Sequence, residues 1–190
     1  MGDRTPSANA RGLRESLVGL DRFEQHPAAY QWAAANGRII DMFGDFARER
    51  HLLLFQSGNE CENWIDPLLN VVYKMNMLVH VGEDILKLLD RIDLFNALFP
   101  ATALHFVGFH ATAPNHVYPV FAQPFIPNAR FATKEQITEY MQAMGFTSVG
   151  EDGKFSDGKL LLSDIKPKNV LRSEDGTMFV IDAEIAKSAS

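Results

Sequence analysis

Residues 160–181 hold three strand-length runs with little chain to spare between them: Leu160–Leu162, Val170–Arg172 and Met178–Ile181. Apolar runs of this length, bounded by turn residues, favour extended structure. Glu174-Asp175-Gly176 separates the last two runs and reads as a tight hairpin turn. The earlier connection, Ser163 to Asn169, is short and polar and is interrupted by Pro167, which a helix interior does not tolerate. This block commits the C-terminal part of the chain to hairpins.

The remainder is mixed. From Arg11 to Arg50 the signal is helical, with Leu13, Leu17, Leu20 and Phe23 recurring every three or four residues. A second helix is expected over Ala28–Ala35, closed by Asn36-Gly37. A third is expected over about Arg38–Arg48, with Ile39, Met42, Phe43 and Phe46 on one face. Residues 1–10 are small and polar and read as a disordered tail. Strands are expected at His51–Phe55, Val71–Met77, Thr102–Phe109 and Val117–Phe125. Gly82–Phe99 is amphipathic and ends at Pro100. Thr133 and Gln136 form a capping box for a helix that Gly145 closes. Helices, then strands with one embedded helix, then hairpins make an α+β pattern.

Composition narrows the classes. The 190 residues, 46% of them hydrophobic, suffice for a compact domain with a core. A net charge of −6 with no basic stripe argues against nucleic acid as a partner. Cys61 is the only cysteine, so no intramolecular disulfide can form, and it reads as an inert small side chain. No apolar run approaches a membrane span, and Met1–Arg14 lacks the apolar segment of a signal peptide. The expectation is a cytoplasmic protein with no membrane partner. His105, His110 and His116 cluster in sequence, but their spacing does not place them on one strand face, so they are not read as a metal site.

The polar connection carries the chemistry. Asp164 is followed by Lys166 two residues on and Asn169 five residues on, and Asp182 ends the strand Met178–Ile181. Phosphoryl transfer needs these residue types: a base for the attacking hydroxyl, a cation for the transferring group, and oxygen ligands for Mg²⁺. The segment resembles the protein-kinase catalytic loop, H-R-D-x-K-x-x-N, with the D-F-G position at the right distance. More closely, residues from about 51 to 185 are similar to the compact kinase domains of polyvalent proteins from phages and mobile elements. The matching features are Val72-Tyr73-Lys74-Met75-Asn76, Asn96-Ala97-Leu98-Phe99-Pro100, Gly108-Phe109, Gln123-Pro124-Phe125-Ile126, Gly145-Phe146, and Asp164 through Glu184.

The resemblance implies a minimal protein-kinase-like fold over 51–190, with a small N-lobe sheet, one helix and a reduced C-lobe, preceded by a helical extension over 11–50. It implies ATP and Mg²⁺. Asp164 would orient or deprotonate the acceptor hydroxyl, and Lys166 would neutralise the γ-phosphoryl. Asn169 and Asp182 would bind Mg²⁺, with Glu184 as a further ligand. Lys74 would meet the α- and β-phosphates, held by Glu83 or Asp90 on the following helix, with Glu83 preferred. Gln123 to Ile126, including Phe125, would form the hinge against adenine. Gly58 offers at most one close backbone contact to phosphate, because G-x-G-x-x-G is missing.

Other departures bear on function. Leu162-Ser163 replaces the His-Arg pair before the aspartate, which argues against control by activation-loop phosphorylation. Asp182-Ala183-Glu184 replaces D-F-G. The chain ends eight residues past Asp182, where protein kinases place their peptide-binding helices. The acceptor is therefore expected to be recognised elsewhere, by residues 11–50, or to be small, or to be reached with a partner. The leading expectation is transfer of the γ-phosphoryl to a protein Ser/Thr hydroxyl, with a small-molecule hydroxyl next. A pseudokinase module that regulates a partner, and AMP transfer, are the alternatives. The N-terminal helices are expected to pack on the core, with a surface for a protein partner as the alternative.

Overall fold

A computed structural model describes residues 6–57 and 60–188, which divide into two compact units. The first comprises the residues up to Asp90 together with Leu104–Phe125; the second comprises Arg91–Ala103 and the residues from Ile126 on.

The first unit opens with helices α1 (Pro6–Leu17) and α2 (Arg22–Ala35). α1 begins inside the stretch expected to be a disordered tail. Asp21 starts α2 with a capping box: its side chain accepts from the Glu24 amide, and Glu24 accepts from the Asp21 amide at 3.0 Å. Leu13, Leu17, Ala29 and Ala33 are fully buried, so the two helices pack on this unit's core.

The helix expected over Arg38–Arg48 is not formed as such; only α3 (Asp45–Glu49) is helical. The reason is competition for backbone hydrogen bonds. Arg38 O accepts from the Phe109 amide and the Ile40 amide donates to Phe109 O, both at 2.8 Å, which ties this segment to a strand. Gly108 makes the approach possible, since a Cβ there would collide with Arg38 O and the Ile40 side chain. Met42 is buried while Phe43 stays exposed, so the expected apolar face does not exist.

Five antiparallel strands follow: β1 (Leu53–Ser57), β2 (Cys61–Asp66), β3 (Val71–Asn76) and, after α4 (Ile85–Leu98), β4 (His105–Ala113) and β5 (His116–Pro124). They are ordered β1-β2-β3-β5-β4. β2 was not anticipated, because Glu62, Asn63 and Asp66 break its apolar pattern. Tyr73 and Met75 alternate into a core cluster with Ile40, Met42, Trp64 and Val120. Lys74, between them, lies on the opposite face, paired in register with Asn63 and Phe121.

The second unit holds the C-terminal part of α4, β6 (Arg130–Phe131), α5 (Lys134–Ala143), β7 (Thr147–Ser148), β8 (Phe155–Ser156), β9 (Leu160–Ser163), β10 (Val170–Arg172), β11 (Met178–Val180) and β12 (Glu184–Lys187). The Thr133–Gln136 capping box forms as expected. The strands make two small antiparallel sheets, β11-β10-β6 and β12-β9-β8-β7. Phe155, Leu162, Ile165, Val170, Val180 and Ile185 supply buried side chains. Thr102 donates to Val180 O at 2.5 Å, a buried hydrogen bond that fixes the turn after α4. Helices and antiparallel sheets together form the expected α+β class.

Candidate active site

Register decides what gathers at one end of the second unit's sheets. The end of β9 pairs with the start of β12, Ser163 opposite Glu184, and the start of β10 pairs with the end of β11, Val170 opposite Val180. The β9–β10 and β11–β12 connections therefore emerge on the same side, and they carry Asp164, Lys166, Asn169 and Asp182. The Ile181 amide donates to Asn169 O at 2.9 Å and ties the two connections together.

Asp164 turns the chain. Its φ of 57° lies in the left-handed region, which aspartate tolerates better than most residues. A 3-10 turn over Pro167–Asn169 then returns the chain to β10, with proline at its first position, where a missing N–H costs nothing. The turn folds three side chains back on the Asp164 carboxylate. Asn169 Nδ2 donates to Oδ2 at 2.7 Å and to the Asp164 carbonyl at 2.9 Å. Lys166 Nζ lies 3.2 Å from Oδ1, and Lys168 Nζ lies 3.1 Å from Oδ2. Lys168 is absent from the sequence expectations. Its spacing of four from Asp164 was the available signal, and only the 3-10 turn gives it meaning.

Partial burial acts to raise the Asp164 carboxyl. The hydrogen bonds from Lys168, Lys166 and Asn169 outweigh it and hold the group below the usual carboxylate range. Asp164 is thus ionised at neutral pH. Beneath it, Gly153 O accepts from the Ile165 amide at 3.0 Å, and a Cβ on Gly153 would stand 2.8 Å from Lys166 Cγ. That glycine lets the lysine stem pass.

The oxygen donors suit a hard cation. Asn169 commits its amide nitrogen to Asp164, so its side-chain oxygen is the atom that could meet a cation. Asp182 is exposed at the end of the β11 segment. Glu184 Oε2 accepts from Ser163 Oγ at 3.2 Å. Among the described residues no three His, Cys, Asp or Glu side chains form a metal cluster. Mg²⁺ does not need one, because waters and substrate phosphates complete its shell.

The first unit carries the other expected residues. Lys74 is half-buried on β3. Gln123 is buried on β5 opposite Val72, and the Phe125 amide donates to Asn70 O at 2.9 Å. Gly58 lies outside the described residues. Glu83 departs from expectation. It is not on α4 but precedes it, with φ of 65°, so it does not share a helix face with Asp90. It lines a pocket with His26, Leu78, His116 and Tyr118. Asp90 pairs with Arg14 at 2.6 Å.

Residues 24–188 match the sequence model of a family described as Serine/Threonine/Tyrosine Kinase found in polyvalent proteins. The chain belongs to this family. The match spans the site residues from Lys74 to Glu184, and a kinase takes its chemistry from phosphoryl transfer. A kinase implies ATP as the phosphoryl donor, a hydroxyl acceptor and typically a divalent cation. No curated protein matches the chain. Among the described residues no helix of this polyvalent-protein kinase is long and apolar enough to cross a membrane.

Proposed function

We propose that this kinase transfers the γ-phosphoryl of ATP to a protein Ser/Thr hydroxyl in the cytoplasm, using the 164–184 connections as its catalytic centre. The observation that carries this reading is the convergence of Lys166, Lys168 and Asn169 on the Asp164 carboxylate. A carboxylate held ionised is a weak proton acceptor, so Asp164 orients the acceptor hydroxyl by accepting its hydrogen bond. As the acceptor O–P bond forms, the bond from γ-phosphorus to the bridging oxygen breaks and ADP leaves. As the O–P bond forms the attacking oxygen becomes strongly acidic, and only then does its proton pass to Asp164. Lys166 faces the developing charge on the transferring group, where a preorganised cation stabilises the transition state more than the ground state.

Asn169, Asp182 and Glu184 would hold Mg²⁺, which when bound neutralises the nucleotide phosphates. In this reading the five-stranded sheet with α4 serves as a small nucleotide lobe and the hairpins as a reduced catalytic lobe. Residues 51–190 form the kinase domain and 11–50 its helical extension. Lys74 contacts the α- and β-phosphates and is held by Glu83, since Asp90 is engaged by Arg14. The Gln123–Ile126 hinge would meet adenine through its backbone, and Gly58 would offer at most one contact to phosphate.

The test is incubation with γ-labelled ATP and Mg²⁺, wild type beside Asp164→Ala and Asp182→Ala, followed by intact mass. Wild type should transfer label to itself or to an added protein. Asp164→Ala should bind nucleotide without transfer, and Asp182→Ala should lose both. Full transfer by Asp164→Ala would refute the assigned base. An added mass of AMP would replace phosphoryl by nucleotidyl transfer, and ATP binding without transfer by wild type would indicate a pseudokinase.

A further inference from the structure

The first amides of any α-helix need acceptors from outside the helix. In α4 the supply is divided. Asp84 Oδ1 accepts from the Lys87 amide at 3.0 Å, an ordinary local cap. The Ile85 and Leu86 amides donate instead to Gln25 Oε1, at 2.8 and 3.1 Å, from α2. Gln25 is 2% exposed, and its Nε2 is spent on Leu20 O. A buried amide thus caps a helix sixty residues away in sequence.

Its neighbour completes the attachment. His26 is 4% exposed. Nδ1 takes the Val117 backbone N–H at 3.3 Å, so Nδ1 carries no proton, and Nε2–H donates to Glu83 O at 3.2 Å. Only this neutral tautomer satisfies both bonds; an imidazolium would turn an N–H against the Val117 N–H. The segment so held is strained: Leu78 and Glu83 both have φ near 60° without being glycine. Such residues persist where their surroundings fix them, and they cluster at functional sites.

We infer that Gln25 and His26 are positioning residues of the kinase: they set where α4 begins and fix Glu83, and phosphoryl transfer depends on them although neither touches substrate. The inference rests on the proposed pairing of Lys74 with Glu83. The groups facing His26 are Glu83 from the strained segment, and His116 and Tyr118 from β5. The His116 ring stacks at 5.8 Å, and its Nε2 lies 2.5 Å from the Tyr118 hydroxyl. On its own helix, Arg22 reaches Gly82 O at 3.5 Å. Burial lowers the His26 pKa, with the Glu83 carbonyl and charge opposing and His116 assisting. His26 therefore stays neutral near pH 7, and acidification below its ordinary value of 6.5 would break the attachment.

The experiment uses the full chain with Gln25→Ala, Gln25→Glu, His26→Gln and Glu83→Gln. Amide hydrogen exchange at Ile85 and Leu86, kcat, KM for ATP and the pH profile of kcat are read. Gln25→Ala should exchange faster at both amides and lose about 10-fold or more in kcat. Gln25→Glu, which keeps the acceptor for Ile85 and Leu86 but sets an oxygen against Leu20 O, should restore both only in part. Wild-type kcat should fall on acidification below the ordinary histidine value of 6.5, as His26 takes up its proton, and His26→Gln should abolish that fall.

Unchanged exchange in Gln25→Ala, or faster exchange with unchanged kcat, would overturn the inference. Should Gln25→Ala not fold, the pH profile decides alone: an acid fall that persists in His26→Gln overturns it. Full activity in Glu83→Gln beside a slow Gln25→Ala would instead refute the Lys74–Glu83 pairing and leave the positioning role standing.

Discussion

The Asp164–Asn169 turn and the α2–α4 attachment are both held by side-chain hydrogen bonds, with opposite construction. In the turn, every partner of the Asp164 carboxylate lies within five residues of it. In the attachment, Gln25 and His26 reach partners 57 to 91 residues away. A local device is specified by a few side chains and one proline. A distant one is specified only once the whole first unit has packed. The first therefore leaves a motif in the sequence and the second leaves none.

The largest expected effect sharpens the local side. Asp164→Asn should lower transfer by about 10³-fold, the usual worth of a positioned acid–base group. Nucleotide affinity and exchange at Ile85 and Leu86 should not move. Changed exchange there would break the separation between the two regions.

Next is Gly153→Ala, which enters the turn from outside it. With φ of 80° and Lys166 Cγ in the way, alanine should cost about 1–2 kcal/mol by thermal unfolding. Because Lys166 must shift, kcat should fall about 10-fold. Wild-type activity would show that the turn is insulated even from its own floor.

Lys168→Ala should be milder. The side chain is 68% exposed, so the ion pair contributes at most about 1 kcal/mol to stability. The Asp164 carboxyl should move up toward its ordinary value, visible by carboxyl NMR titration. A loss of transfer as large as that of Lys166→Ala would make Lys168 a second phosphoryl cation.

The smallest effect concerns the hairpin after β10. Asp175 accepts from Ser173 Oγ at 2.5 Å and from the Thr177 amide at 2.9 Å, and these hold its carboxyl at about 2. A depressed carboxylate stabilises the fold fully above the unfolded value of 3.8 and loses that contribution as pH falls toward about 2. The stability difference between wild type and Asp175→Ala should therefore be constant at neutral pH and vanish across that window in acid urea titrations.

Legibility followed the same division. The Thr133–Gln136 capping box, the Glu174–Gly176 turn and the close spacing of Asp164, Lys166 and Asn169 were readable because each is short-range chemistry. The helix expected at Arg38–Arg48 failed because Gly108, seventy residues on, opens a backbone partner that periodicity cannot reveal. β2 was hidden by its polar residues, and β12 by having four residues after an acidic turn. Glu83 was placed on a helix because its neighbours are amphipathic, whereas the chain there is bent by contacts from α2. Gln25 gave no signal at all: a glutamine inside a helix looks like any solvated one until the helix is packed.

The left-handed backbone at Asp164 also bears on inheritance. Few residue types accept that conformation; asparagine, aspartate and glycine do so at low cost. Codons for asparagine and glycine each lie one nucleotide from those for aspartate. Of the replacements at this position, Asn and Gly are therefore the ones that would remove the carboxylate while leaving the turn at least cost.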